Sequence, residues 1–205
     1  MGTRGTYGIR KNGEDKLAYN HWDSYPDYLG HQMLKFCNTM SFEELHKFYD
    51  KLELIDEQSK PTQEQIDMCK ALGFADFSVS TRSEDDWYCL LRGLQGELDK
   101  YTELVRNENI PVIYMAEAND FIKDSLFCEY GYIINLDDEV LELWVGWQDE
   151  PDETNRYGTK KYEGYSSDYY PCKLVATYPL NEIYNCSEQQ LMNLVDDMEL
   201  KCGNN

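Results

Sequence analysis

Residues 1–30 read MGTRGTYGIRKNGEDKLAYNHWDSYPDYLG, and their pattern decides the fold class. Thr6 to Arg10 and Asp15 to Tyr19 flank Asn12-Gly13, a pair suited to the positive backbone angles of a tight hairpin turn. An N-terminal β-hairpin is therefore predicted. Its second strand delivers the chain into Asn20-His21-Trp22-Asp23-Ser24-Tyr25-Pro26, where amide, imidazole, carboxylate and hydroxyl groups crowd one short loop. Antiparallel pairing returns the end of the hairpin to its start, so Thr3 and Arg4 come near that loop. The pattern places a candidate ligand-binding pocket at Thr3, Arg4, Asn20, His21 and Asp23. Arg4 offers a planar fork of donors for a carboxylate or phosphate, and His21 beside Asp23 has the makings of a general base. The same Asn, Asp, Ser and Pro residues are also ordinary turn formers, which is the structural alternative.

Downstream, apolar residues recur first at helical and then at strand spacing. Leu29, Met33, Phe36, Cys37 and Met40 form one helical stripe, and Ser41 with Glu44 reads as a capping box that opens a second helix through Ile55. Thr62 with Gln65 caps a third helix, ending at Gly73, and Ala75 to Ser80 reads as a weak strand or an extended connector. A long helix is predicted from Ser83 to about Arg106, weakened by Gly93 and Gly96. From Val112 the period falls to two. Strands are predicted at 112–115, 130–136, 141–147 and 173–178, with a short helix or turn over 119–126 and a terminal helix capped by Ser187 and Gln190. Residues 149–171 lack apolar periodicity and read as a surface excursion. Together these patterns predict one α+β domain over 1–205, its antiparallel sheet built from two hairpins and a further strand and covered by helices.

Composition narrows function. A formal charge of −20 makes direct binding to nucleic acid improbable and favours a partner with a basic surface. Seven scattered cysteines without a Cys-x-x-Cys pair, and only three histidines, assemble no zinc signature; no cofactor or metal is expected. Unpaired thiols and the lack of a signal or membrane-spanning run point to the cytoplasm, with no membrane partner. The opening Met-Gly-Thr-Arg-Gly-Thr formally fits an N-myristoylation pattern, but no polybasic second signal follows. Acids concentrate between Glu117 and Glu153, where twelve face one base, Lys123. Within that stretch Asp137, Asp138, Glu139, Glu142, Asp149, Glu150, Asp152 and Glu153 form the candidate partner-binding acidic surface.

Four segments carry a resemblance: GTRG at the start, YNHWDSYPDYLG after the hairpin, EYGYIINLDDEVLELWVGW at 129–147, and the LVATYPL strand. The combination resembles a family of uncharacterised proteins from fungal, large-virus and phage genomes. That resemblance implies a viral or mobile-element accessory protein but no activity. The opening hairpin and its Asn/Asp loop also look loosely like the start of N-terminal nucleophile hydrolases and class II glutamine amidotransferases. Here the chain departs from the pattern, because loss of Met1 exposes Gly2 rather than Cys, Ser or Thr, and Thr3 would serve only after a further cut. The leading expectation is a non-enzymatic protein that binds and blocks a host nuclease or other defence protein through its acids, by nucleic-acid mimicry. The alternatives are an enzyme or binding protein for a small anionic, nucleotide-like ligand in the hairpin pocket, and a non-catalytic scaffold or oligomer-forming protein.

Overall fold

The hairpin forms as its Asn-Gly pair requires. In the computed structural model, which describes residues 2–78, 85–163 and 168–203, strands β1 (Gly5–Lys11) and β2 (Glu14–Asn20) pair antiparallel. Asn12 and Gly13 turn between them with φ of 54° and 79°. The Asp137 carboxylate braces the turn from outside, accepting from the Asn12 and Gly13 amides at 2.6 and 2.8 Å. Pro26–Gly30 follows as one wide helical turn and runs into α1 (His31–Thr39). Leu29, Met33, Phe36, Cys37 and Met40 are all buried, as their spacing predicts.

The chain is α+β, and its contacts gather into two compact units, Met1–Tyr49 with Ala118–Asn205, and Asp50–Glu117. Helix α2 (Phe42–Lys51) opens on the predicted capping box, with Glu44 and Ser41 exchanging hydrogen bonds at 2.8 and 3.2 Å. It ends earlier than its apolar stripe suggests. Leu52 and Ile55 belong instead to β3 (Leu52–Ile55), because four residues too few to fix a period found a strand partner.

In the Asp50–Glu117 unit, β3 pairs parallel with β4 (Ile113–Ala116). Helix α3 (Gln63–Ala71) carries the Thr62–Gln65 capping box. The predicted long helix is broken in two, α4 (Trp87–Leu90) and α5 (Leu98–Arg106). Two glycines account for the break: Gly96 adopts φ 86°, and a Cβ on Gly93 would stand 2.8 Å from the Phe74 carbonyl oxygen. The cap that opens α4 is Asp86, which accepts from the Tyr88 amide; the expected start at Ser83 and part of the connector at 75–80 lie outside the described residues. Ile55, Ile66, Cys69, Trp87, Leu90, Leu91, Tyr114 and Ala116 make this unit's core.

The larger unit is built on a five-stranded sheet in the order β2-β1-β5-β6-β7, adding β5 (Tyr130–Asn135), β6 (Val140–Val145) and β7 (Lys173–Pro179). Both hairpins are antiparallel as expected, but β1 and β5, which join them, run parallel. The sheet is therefore mixed. Pairs so distant in sequence leave no local signal of direction. On one face Tyr132 and Tyr178 reach the helical layer: Tyr132 donates to the Ser24 carbonyl, and Tyr178 to Asp197 on α7 (Glu188–Gly203). A short α6 (Leu180–Ile183), not expected from pattern, precedes α7. Among the described residues, the helical element packed on the opposite face is the single 3-10 turn Phe121–Lys123. Its apolar part packs Leu17, Ile133 and Trp144 against Ile122, Cys128, Cys172 and Tyr157. Tyr157 belongs to the segment read as a surface excursion; its side chain packs on the sheet, and residues 149–161, which carry it, are called the strap.

Candidate functional site

Strand register determines what the strap meets. Leu17, Gly8, Ile133 and Glu142 lie abreast on four neighbouring strands, and Asp15, Arg10 and Asn135 lie abreast two residues further along. Neighbours in such a row point to one face. Glu142 is the anomaly, a carboxylate at 2% exposure inside an apolar strand. Such a charge is tolerated only when paired and hydrogen-bonded. All its bonding positions are used. Oε1 accepts from Arg156 Nη1 at 2.7 Å and Asn135 Nδ2 at 2.8 Å, and Oε2 from Arg156 Nη2 at 2.5 Å and Trp144 Nε1 at 2.8 Å.

Arg156 is held on its flat sides as well. Its guanidinium carbon lies 4.6 Å from the Trp144 ring centre and 4.9 Å from that of Tyr157, within cation–π range. Burial alone would weaken the Arg156 charge, but the Glu142 hydrogen bonds together with the Tyr157, Glu142 and Asp15 charges outweigh it and raise the pKa. Tyr157 donates to Asp15 Oδ2 at 3.0 Å and accepts from Arg156 Nη2 at 3.1 Å, and burial and then the Asp15 charge push its phenol up. Arg10 pairs with the far side of Asp15 at 3.1 Å. The cluster is thus a ladder of alternating charge across the sheet, Arg10–Asp15–Tyr157–Arg156–Glu142.

The residues predicted as a pocket have a different fate. The Thr3 side chain is buried, and its carbonyl accepts from the Ser24 amide at 3.2 Å. Asn20 spends its amide on the Trp22 carbonyl at 2.5 Å and on Ser24 Oγ at 2.8 Å. Asp23 is exposed, adopts φ 50°, and accepts at its carbonyl from the Leu29 amide. These three shape the loop. Arg4 and His21 both act on Tyr19: the Tyr19 hydroxyl is 2.6 Å from His21 Nδ1, and burial raises the phenol's pKa while the Arg4 charge lowers it by less. The Arg4 guanidinium lies 5.3 Å from the Phe127 ring centre, and its amide donates to Glu129 Oε1. The His21 ring is bonded to Tyr19 and not to Asp23, so the expected imidazole–carboxylate pair is not formed. A cavity of about 480 Å³ beside the loop is lined by Tyr25, Pro26, Asp27, Tyr130, Glu199, Cys202 and Gly203, none of them a predicted pocket residue.

The acidic stretch is likewise divided by the fold. Asp137, Asp138 and Glu139 occupy the exposed turn between β5 and β6, while Asp149, Glu150 and Glu153 are exposed beyond the opposite end of β6, with Asp152 half-buried beside them. Six residues of strand put the two groups about 20 Å apart. Glu142 leaves this surface altogether, since it faces inward to Arg156. Sequence reasoning missed Asp15, Asn135, Trp144, Arg156 and Tyr157. The available signal was Glu142 itself: a carboxylate between leucines in a strand apolar on both faces demands a cation from elsewhere.

All seven cysteines are free; Cys37, Cys69, Cys89, Cys128 and Cys172 are buried, in keeping with their reading as small apolar residues. No helix among the described residues is long and apolar enough to cross a membrane. Comparison of the chain with protein-family models, curated proteins and solved structures finds no match.

Proposed function

We propose that this chain is a binding protein that engages a partner with a basic surface, using the end of the sheet at which β2 and β6 finish. The observation that carries the reading is the company kept there by the exposed acids. Trp22 and Trp147 are 61% and 55% exposed, Phe127 is exposed just before β5 begins at that end, next to Leu126, whose carbonyl accepts from the Trp147 indole, and Asp149, Glu150 and Glu153 follow within six residues of Trp147. Trp147 also adopts φ 56°, a conformation that costs a bulky residue free energy and marks functional positions. Exposed tryptophans are the residues from which interface hot spots are made, and flanking carboxylates add attraction and orientation toward a cationic surface.

The test is capture of a partner at low and high salt by the wild type, by Trp147→Ala, and by Asp149→Lys/Glu150→Lys/Glu153→Lys. The expected result is one stoichiometric basic protein, lost at high salt and lost from both variants. Retention by both variants overturns the reading. The narrower idea, that the partner is a defence nuclease whose nucleic-acid channel these acids occupy, is checked by assaying the captured protein for nuclease activity with and without this chain. His21→Ala is expected to leave capture unchanged, whereas an enzyme working at Arg4 and His21 would lose its activity.

A further inference from the structure

The Glu142 cluster has two parts of different origin. Glu142, Asn135, Trp144 and Asp15 are fixed on strands β6, β5 and β2, whereas Arg156 and Tyr157 arrive on the strap. The strand part is arranged without the strap's help: Asn135 and Trp144 each donate to one Glu142 oxygen, turning the carboxylate so that both oxygens meet a guanidinium fork. Trp144 supplies the aromatic face, and Asp15 a second carboxylate 3.9 Å from Arg156 Nη2. A buried carboxylate aimed for bidentate contact, an aromatic plane and a second acid are the elements that select guanidinium over ammonium. Arg156 is the cation that Glu142 pairs with.

Arg156 also fills this site incompletely. Its Nε is buried with no hydrogen-bond partner, so one donor of the guanidinium is unmatched in the cluster, while Asp15 Oδ1 is ion-paired with Arg10 Nη1 at 3.1 Å and takes no hydrogen bond from Arg156. The strap is held lightly. Among the described residues, no backbone hydrogen bond ties 149–161 to the sheet; its backbone bonds are the local turns Asn155 to Asp152 and Gly158 to Asn155. Side chains make the attachment, with Asn155 donating to the Cys172 carbonyl at 2.8 Å and Tyr157 to Asp15. Segments held by few backbone bonds open at low free-energy cost relative to strands.

We propose that Glu142, Trp144, Asn135 and Asp15 form a guanidinium-binding site on the sheet, occupied here by the chain's own Arg156, for which an external arginine guanidinium competes. The external group is either a free arginine-like molecule or an arginine side chain of a peptide. The inference does not depend on the proposed partner surface at the other tryptophans, and either can fail alone.

The experiment is an NMR titration of the full chain with Nα-acetyl-L-arginine methylamide, its lysine counterpart and a Gly-Gly-Arg-Gly-Gly peptide, following the Trp144 indole N–H. Arg156→Ala is expected to bind the arginine probe saturably and to prefer it to lysine by about tenfold. Wild type is expected to bind more weakly, because its site is competent only in the fraction of molecules whose strap is open. Glu142→Gln/Arg156→Ala is expected to lose binding. Tighter binding of the peptide than of the small probe identifies a polypeptide arginine as the better ligand, and equal binding identifies the guanidinium alone; both support the site. Absence of binding to a folded Arg156→Ala chain, equal response to lysine, or indifference to Glu142→Gln overturns it. Should Arg156→Ala not fold, the wild type decides: the probe must shift Trp144 N–H and speed amide exchange at Arg156 and Tyr157, and a silent titration overturns the proposal.

Discussion

The loop at residues 20–26 and the strap at 149–161 have nearly opposite sequences and exchange the roles those sequences suggest. The loop is dense in groups able to do chemistry, yet Asn20 and the Thr3 and Asp23 carbonyls are consumed in holding its own shape. The strap is a polar stretch without periodicity, yet it carries the cation for the sheet's buried carboxylate. The difference teaches that polar residues close together in sequence tend to satisfy one another, as Asn, Asp and Ser do in turns. A carboxylate isolated among apolar residues must recruit its partner from far away. Glu142 is the second kind of residue, and its partner lies fourteen positions on, across a segment of turns.

The comparison breaks or sharpens at particular side chains. Arg156→Ala should have the largest effect, a loss of about 3–5 kcal/mol by denaturant unfolding, because Glu142 would be left buried without its counter-ion. Replacing both partners, Glu142→Leu with Arg156→Met, should cost much less than the single change. A single change costing under about 1 kcal/mol would remove the strap's distinction from the loop. Asn20→Ala comes next, at about 1–2 kcal/mol, since two hydrogen bonds that shape the loop are lost.

Alkali should separate the two regions without mutation. Beside the loop, burial first of all pushes the Cys202 thiol up to about 11 and the Tyr130 phenol to about 12. A raised pKa on an acid means that the unfolded chain releases its proton first. Stability should therefore fall as pH rises from the ordinary thiol value near 9 toward 11, and Cys202→Ser should flatten that slope in unfolding curves. Tyr157 of the strap is also pushed up, by burial and then the Asp15 charge, but an unfolded phenol releases its proton only near 10, so amide exchange should quicken beside Cys202, where the loss begins near 9, before it does around Arg156. The smallest effect belongs to His21→Ala. Its ring is exposed with one hydrogen bond to Tyr19, so the loss should stay within about 0.5 kcal/mol, measured as a shift in denaturation midpoint.

Much of the fold was legible because its signals are local. The Asn12-Gly13 turn and the Ser41–Glu44, Thr62–Gln65 and Ser187–Gln190 caps are each made by residues at most three apart, and all form. The α1 stripe is buried as spaced, and the β5–β6 hairpin forms across its acidic turn. Of the candidate pocket, the sequence left open whether Arg4 and His21 share a site, because side-chain direction depends on register; Tyr19, which His21 bonds and whose phenol the Arg4 charge acts on, had no local signal. The end of α2 at Lys51 was hidden because Leu52 and Ile55 suit either period, and the division into α4 and α5 because the close approach of Phe74 to Gly93 is a tertiary fact.

By itself, then, the sequence determined the α+β class, the two hairpins, the caps and an acidic character set by 39 acids against 19 bases. Each rests on backbone preference, periodicity or composition within a few residues. Only the tertiary structure decided that β1 and β5 run parallel, that Glu142 leaves the acidic surface for the sheet's interior, and that Arg156 closes over it. Those outcomes depend on register between distant strands, where one residue of slip turns every side chain to the other face. With the register in place, Glu142 points inward and Arg156 must meet it.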